Sequence, residues 1–383
     1  MTTTPGSVVA ETVELLWPGR PGGRCYRVLP TATRPRLLVP ERPRAAAVAG
    51  LRAVRESTSR QSRARTAAVS AAFSTAPTRL LPGERVVVGD GGIDQMLGDT
   101  LGTTVVATVH LGPDRANRKP VLALATPDGS IVGFAKVAVD DLTGCLVTAE
   151  GTALRVLSQQ SLRQLTVPRL LFDGTWHDAP TTVQSPLPVH TERTSADPLR
   201  VAAAQVELAR CLGVTTASAA ESAYVRQLTR RLRAQGPVGA QVADEITTAV
   251  GAVDLTLAFG AWHGDWRPTN CAVTESTVLV WDWERFATEV PLGFDALHLA
   301  LTSRARATED ITDLAPMLYS LAPGVLGTFD VDSAKAELVT SLYLGEIAAR
   351  YLTDGQHHTG ARLGDVGAWL LPELHRRNAV IAS

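Results

Sequence analysis

Lysine is nearly missing from this chain of 383 residues: it occurs only at Lys119, Lys136 and Lys335, and arginine supplies almost all the positive charge. A lysine inside an apolar run therefore stands out. Lys136 lies within Ile131-Val132-Gly133-Phe134-Ala135-Lys136-Val137, where a charge needs a partner. Cysteine is scarce as well. Cys25, Cys145, Cys211 and Cys271 are scattered and form no C-x-x-C pair, which argues against a zinc site or a disulfide framework and fits a reducing cytosol. The formal net charge is −1, so bulk electrostatics give no ground for binding a polyanion, and no nucleic-acid partner is expected. No apolar run approaches the roughly 20 residues that span a bilayer. The opening Met-Thr-Thr-Thr-Pro-Gly lacks a basic region followed by an apolar one. The expectation is a cytoplasmic protein without a membrane partner. Aromatic residues make up only 5%, and tryptophan gathers in one place, at Trp262, Trp266, Trp281 and Trp283.

What remains is an ordinary globular composition, 45% apolar and 20% charged, long enough for two or three domains or lobes. Residues 1 to about 8 carry no pattern. Glu11 to Trp17, a Pro/Gly cluster and Arg24 to Leu29 read as a β-hairpin, with a third short strand at Arg36 to Val39. Arg44 to Val54 and Ser59 to Phe73 are Ala/Arg-rich and helical in period. Val86 to Val88 reads as a strand and Ile93 to Leu101 as a helix. Thr103 to His110, Pro120 to Thr126 and Ser130 to Val139 read as successive antiparallel strands, the last two joined by an Asp-Gly turn. A helix follows from Leu142 to Leu157, with Glu150 as its interior carboxylate. Val167 to Phe172, a turn at Asp173-Gly174 and Thr181 to Gln184 give two more strands, and Ser185-Pro186-Leu187-Pro188 a linker. From Pro198 helices dominate: to Leu212, then Ala219 to Gln235, Val242 to Val253, Ala296 to Ser303, Ile311 to Leu321, Ser333 to Tyr351 and Val366 to Asn378.

One stretch carries chemistry: Ala261-Trp262-His263-Gly264-Asp265-Trp266-Arg267-Pro268-Thr269-Asn270, then the apolar run Val278 to Trp281, then Asp282-Trp283-Glu284. A loop of this length bends Asn270 back toward Asp265, and a returning strand brings Asp282 to the same point. Two carboxylates and an amide oxygen converging in this way make a hard, oxygen-only site suited to Mg²⁺. Phosphoryl transfer uses such a set: a carboxylate to orient the attacking hydroxyl, and acidic and amide oxygens to hold the metal on the phosphates.

The order His-Gly-Asp-x-x-x-x-Asn, apolar strand, Asp-Trp-Glu resembles the catalytic centre of the aminoglycoside phosphotransferase/choline kinase family, small-molecule relatives of protein kinases. The resemblance implies an α+β, bilobal, protein-kinase-like fold. An N-terminal extension would occupy residues 1–80, as a β-hairpin plus Ala/Arg-rich helices. An antiparallel N-lobe sheet with one main helix and the hinge would occupy 81–187, and a mostly helical C-lobe with the catalytic loop 188–383. It implies ATP and Mg²⁺ as cofactors and a small-molecule hydroxyl acceptor of aminoglycoside, amino sugar or amino alcohol type. Asp265 would be the catalytic base, with Asn270 and Asp282 as metal ligands. Lys136 would contact the α/β-phosphates and pair with Glu150, and the backbone from Gln184 to Leu187 would meet the adenine edge. A catalytically silent nucleotide-binding module is the alternative.

Several residues stay open at this level. The 111–119 loop is not G-x-G-x-x-G; its Arg115, Asn117, Arg118 and Lys119 either offer donors to an anion or form an exposed hairpin tip. His263 is expected to support the loop through backbone hydrogen bonds. Asp295 either braces the catalytic loop, as in the resembled family, or caps the helix that follows it. The four tryptophans either exclude water and stack on a ligand or pack the core, Trp281 being the foremost packing candidate. Glu284 would contact a ring amine or a metal-bound water, and Glu289, Glu346 and Asp365 are the carboxylates available for a cationic acceptor.

Overall fold

The computed structural model describes residues 5–53, 60–113, 115–189, 192–195, 197–356 and 362–381. In chain order the first elements are α1 (Pro5–Leu16), β1 (Pro21–Thr31), β2 (Arg34–Pro40), α2 (Arg44–Ala53), α3 (Arg60–Thr75), β3 (Glu84–Gly89) and α4 (Ile93–Leu101). Then come β4 (Val106–His110), β5 (Val121–Ala125), β6 (Ile131–Val137), α5 (Asp141–Leu157), β7 (Leu165–Thr166), β8 (Leu170–Trp176) and β9 (Ala179–Gln184). They are followed by α6 (Pro198–Arg210), β10 (Thr215–Ser218), α7 (Ala223–Arg233), α8 (Gly236–Gly251), β11 (Thr256–Trp262), β12 (Cys271–Val273) and β13 (Val278–Val280). The chain ends with β14 (Ala287–Pro291), α9 (Phe294–Ala307), α10 (Leu314–Leu326), α11 (Ser333–Thr353), α12 (Val366–Trp369) and α13 (Leu371–Ile381). Two compact units divide the chain, 1–152 with 168–187 and 153–167 with 188–383. The fold is α+β, with an antiparallel sheet dominating the first unit and helices the second.

The first unit is built on one eight-stranded sheet in the order β3-β1-β2-β4-β5-β6-β9-β8, antiparallel throughout. Strand alternation gives it two apolar faces. On one, Val28, Leu38, Val109, Leu122, Leu124, Ala135 and Val183 pack with Trp17 and with Ile93 and Leu97 of α4. On the other, Leu29 and Val39 meet Ala47 and Leu51 of α2 and Phe73 of α3. Thr108 pairs with Ala123 and Ala123 with Phe134, so both lie on the face that also carries Lys136. Helix α2 packs across β2, β4, β5 and β6, so β1, β2 and α2 are woven into this sheet and its core.

Sequence periodicity and structure part company at three places. Glu11 to Trp17 is not a strand but the end of α1: Val8, Thr12 and Leu16 are buried at helical spacing, and a window opening at Glu11 cuts that period in half. The hairpin that does form joins β1 to β2. Asp173-Gly174 lies inside β8, paired with Thr182 and Thr181, and the turn falls at His177-Asp178, where His177 takes φ 49°. Val366 to Asn378 is broken at Leu370, because Pro372 cannot donate the backbone N–H that a continuous helix requires. Val54, the expected end of α2, lies outside the described residues.

The second unit packs α6–α13 around a core that runs from Leu228 and Ile246 through Phe294 and Leu318 to Trp369. Helix α11 threads its middle, buried almost continuously from Leu338 to Ala349. Two small sheets, β10-β11-β14 and β12-β13-β7, sit on this helical base. Among the described residues no single helix is long and apolar enough to cross a membrane.

Gly50 is where α2 meets the first unit's sheet: a Cβ there would lie 2.0 Å from Thr108 Oγ1 and 2.4 Å from Thr108 Cβ. Thr108 is buried and its Cβ is not a flexible chain end, so the backbone would have to give. Gly50→Val is expected to lower stability by about 1–3 kcal/mol through overpacking, read as an earlier midpoint in urea unfolding.

Candidate active site

Strand β11 delivers His263-Gly264-Asp265 at its end, and β12 and β13 form an antiparallel hairpin pairing Cys271 with Val280. That register sets Asn270 opposite Trp281, whose N–H donates to the Asn270 carbonyl at 3.1 Å. Asp282 is thereby carried next to Asn270, with Nδ2 3.5 Å from Asp282 Oδ2. The same amide donates to Asp265 Oδ2 at 2.9 Å and to the Asp265 carbonyl at 3.0 Å. The structure thus brings together the three residues that the spacing singled out. With its nitrogen committed to Asp265, the Asn270 amide turns away its oxygen, which accepts from the Thr269 hydroxyl at 3.3 Å and keeps a second lone pair for a cation, and Asp282 adds a carboxylate. This is a donor set of the hard, sparse kind that Mg²⁺ takes when phosphate oxygens and water complete its shell, so the residues fit such an ion. Among the described residues no group of three or more His, Cys, Asp or Glu is arranged to hold a metal by itself.

The loop is held from beneath. Asp295, in the first turn of α9, accepts the His263 N–H at 2.7 Å and the Gly264 N–H at 3.1 Å, while the position before α9 is filled by Gly293. Of the two readings open for Asp295, bracing the loop is the one its carboxylate performs. Burial pushes its pKa up to about 7, with those two backbone donors pulling the other way. His263 is fully buried; the Asp265 N–H donates to its Nδ1, so Nε2 carries the proton and donates to the Trp281 carbonyl at 3.1 Å. Burial lowers His263 to about 4, which fixes it as a neutral strut. Gly264 has φ 83°, and a Cβ there would lie 2.2 Å from the Arg285 carbonyl, so only glycine fits. Asp282 itself sits in the left-handed region at φ 73°, a strained conformation at one of the three converging residues.

Asp265 is buried and surrounded by donors. Arg267 binds Oδ2 through both Nε, at 2.9 Å, and Nη2. His298 Nε2 lies 3.2 Å from Oδ1. Burial by itself would raise this carboxyl, but the Arg267 guanidinium and the His298 hydrogen bond outweigh it and hold the group well below the usual carboxylate range. Neither partner was singled out from sequence. Arg267 stood two residues from Asp265 inside the motif, and His298 stands three beyond Asp295, a spacing that places both side chains on one face of a helix.

Lys136 and Glu150 meet inside the first unit, with Nζ 2.8 Å from Oε1 and 2.7 Å from Oε2, both side chains buried. Strand β6 and helix α5 bring them together across fourteen residues. Gln184 ends β9, paired with Phe134 and Leu170, and Leu187 is half-buried in the segment after it. Trp266 and Trp283 are fully buried and Trp262 nearly so, whereas Trp281 is only partly covered. The expectation is reversed: Trp281 stands beyond the last ladder pair of the hairpin, outside the packing that claims the other three. Glu346 is taken by Arg231, at 2.5 Å, and by the Tyr224 hydroxyl, at 3.1 Å; Asp365 caps α12; Glu289 is exposed on β14. An acidic cluster for a polycationic acceptor is not assembled from these three. Glu284 is buried.

Two measurements check this account. Lys136→Met is expected to leave the buried Glu150 uncompensated and to destabilise the chain by roughly 3–5 kcal/mol in denaturant unfolding without any ligand. For Asp295 the folded pKa of about 7 lies above its ordinary 3.8, so between these values the folded state holds a proton that the unfolded chain has lost. Its stabilising contribution is complete below that window and is lost as pH rises through it. Asp295→Asn lacks this dependence, so its stability relative to wild type should improve steadily from about pH 4 to 7.

No protein-family model and no curated protein matches the sequence. Solved structures do resemble the fold. An aminoglycoside 2'-phosphotransferase variant in complex with GDP matches with a TM-score of 0.46 and 14% identity over 76% of this chain and 98% of its own. A thermostable aminoglycoside phosphotransferase variant, in ternary complex with ADP and hygromycin B, gives 0.45 and 11% over 76% and 98%. Amicoumacin kinase bound to AMP-PNP, Ca²⁺ and Ami gives 0.40 and 12% over 67% and 87%. With TM-scores below 0.5 and identities of 11–14%, these likenesses assign neither a family nor residue roles to this chain.

Proposed function

We propose that this chain is an ATP-dependent phosphotransferase that moves the γ-phosphate of Mg-ATP onto a hydroxyl of a small molecule. The observation that carries the reading is the convergence of Asp265, Asn270 and Asp282 on one hairpin and one braced loop. In the proposed reaction the acceptor oxygen forms a bond to the γ-phosphorus while the bond to the β,γ-bridging oxygen breaks, and the hydroxyl proton leaves toward Asp265. Asp265 is a weak base in its donor-rich setting. Its task is to orient the hydroxyl in line, which suffices where the transition state is loose and positioning and electrostatics supply most of the rate. Mg²⁺, held by Asn270 and Asp282, would neutralise phosphate charge. Lys136, aimed by Glu150, would do the same at the α/β-phosphates, and the Gln184–Leu187 backbone would receive the adenine edge. Oδ2 of Asp265 already accepts from Arg267, so an incoming hydroxyl takes the place of the guanidinium, which is then available to the transferring phosphoryl group.

The same Arg267 contact is the one observation that favours the alternative, a catalytically silent nucleotide-binding module, since it covers the oxygen a base must expose. Incubation with Mg-ATP and a panel of amino sugars, aminoglycosides and amino alcohols, followed by ADP release and mass change of the acceptor, separates the two. Tight ATP binding with no acceptor modified supports the silent module. If transfer occurs, Asp265→Ala should abolish it with nucleotide affinity nearly kept, and Asp282→Ala should lose the metal along with activity. Near-wild-type turnover in Asp265→Ala would remove Asp265 from the base role.

A further inference from the structure

Arg267 and Asn270 reach Asp265 from its own short loop. His298 does not. It projects from α9, and its Nδ1 lies 2.9 Å from the hydroxyl of Tyr343 on α11, the helix buried along the middle of the second unit. All three side chains are buried, His298 at 2% exposure and Tyr343 at 0%. An ionised carboxylate only accepts, so the nitrogen facing Asp265 Oδ1 carries the proton. With the proton at Nε2 a neutral ring keeps a lone pair at Nδ1, and burial, against the pull of the Asp265 contact, lowers the His298 pKa in favour of that form. Tyr343 must therefore donate to it. The chain of donors runs in one direction, from the Tyr343 hydroxyl to His298 Nδ1 and from Nε2–H to Asp265 Oδ1. Helix α9 thus grips the loop twice, by an acceptor at Asp295 for its backbone and by a donor one turn later for its carboxylate.

We propose that His298 is the positioning residue of Asp265: locked as the Nε2–H tautomer by Tyr343, it pins Oδ1 to the core and leaves Oδ2 as the oxygen offered to the acceptor hydroxyl. Without that pin Oδ1 has no donor from outside the loop, and the carboxylate is held only through Oδ2 by Arg267 and Asn270, the same oxygen an acceptor hydroxyl must reach. The inference deepens the phosphotransferase reading and rests on it for its kinetic consequences, whereas the tautomer is a property of the resting protein.

The test joins kinetics with imidazole ¹⁵N spectra of the full-length chain labelled at histidine, the His298 signals being identified by their loss in His298→Gln. The spectrum should show a neutral ring protonated at Nε2 that becomes a mixture of tautomers in Tyr343→Phe. His298→Leu should lose kcat on the order of 100-fold with the KM for ATP little changed. His298→Gln, whose amide nitrogen reaches the place of Nε2, should recover most of that loss. A ring protonated at Nδ1, near-wild-type kcat in His298→Leu, or a Gln variant no better than a folded Leu variant overturns the proposal. If no acceptor is phosphorylated the kinase reading fails, and the nitrogen spectra alone then decide the tautomer.

Discussion

Everything at the candidate site depends on one carboxylate receiving two backbone N–H groups. Asp295 accepts from His263 and Gly264, and those donors fix the direction in which the chain leaves β11. Left unpaired in a buried place, each N–H would cost about 1–3 kcal/mol. The brace has its own electrostatic tension, because burying it drives its pKa upward while the donors favour its charge. Arg350 adds support from α11, donating to the Gly264 carbonyl at 2.6 Å and lying 5.2 Å from the Trp262 ring centre. A loop rich in polar side chains is thereby held as firmly as a core segment.

Rigidity of this sort has to be matched by backbone that tolerates it. Gly264 and Asp282 both take positive φ, one because Arg285 comes too close for any side chain, the other with a carboxylate in a conformation that L-residues avoid. The hairpin of β12 and β13 overdetermines the second case: its ladder places residue 281 opposite residue 270, and the chain must turn sharply just after. Strain and site coincide because the geometry that aims Asp282 is the geometry that strains it. Around them Trp266 and Trp283 fill the interior and contribute bulk.

The first unit answers a different constraint. A central lysine on β6 needs a partner, and the helix that follows supplies Glu150 in a buried pair. The strands before residue 90 extend the sheet beyond β4 and remove what would be an open edge there. Helix α2, pressed so close that Gly50 has no room for a methyl group against Thr108, covers part of the face that Lys136 shares. The helical period of that Ala/Arg-rich segment puts Ala46, Ala47 and Leu51 in the core.

Local period decided much of this in advance. The pair Lys136–Glu150 was implied only by the family resemblance, whereas the strands β4 to β6 and the helix α5 were legible because each depends on alternation or helical spacing within a short span. So was the meeting of Asp265, Asn270 and Asp282, which needs only a short loop and one hairpin. Reading failed where a window cut a period, as at Glu11 to Trp17, and where a turn-like dipeptide lay within a strand, as at Asp173-Gly174. Tertiary structure alone settled the rest. Whether Asp295 caps a helix or braces a loop, and whether Glu346 is free for an acceptor or taken by Arg231, turns on contacts between distant segments. The pinning of Asp265 by His298 and Tyr343 joins three elements far apart in the chain, and no spacing within one element encodes it. The amino-acid order determined which groups meet within a turn or a hairpin; only packing of whole helices decided which of them hold the others still.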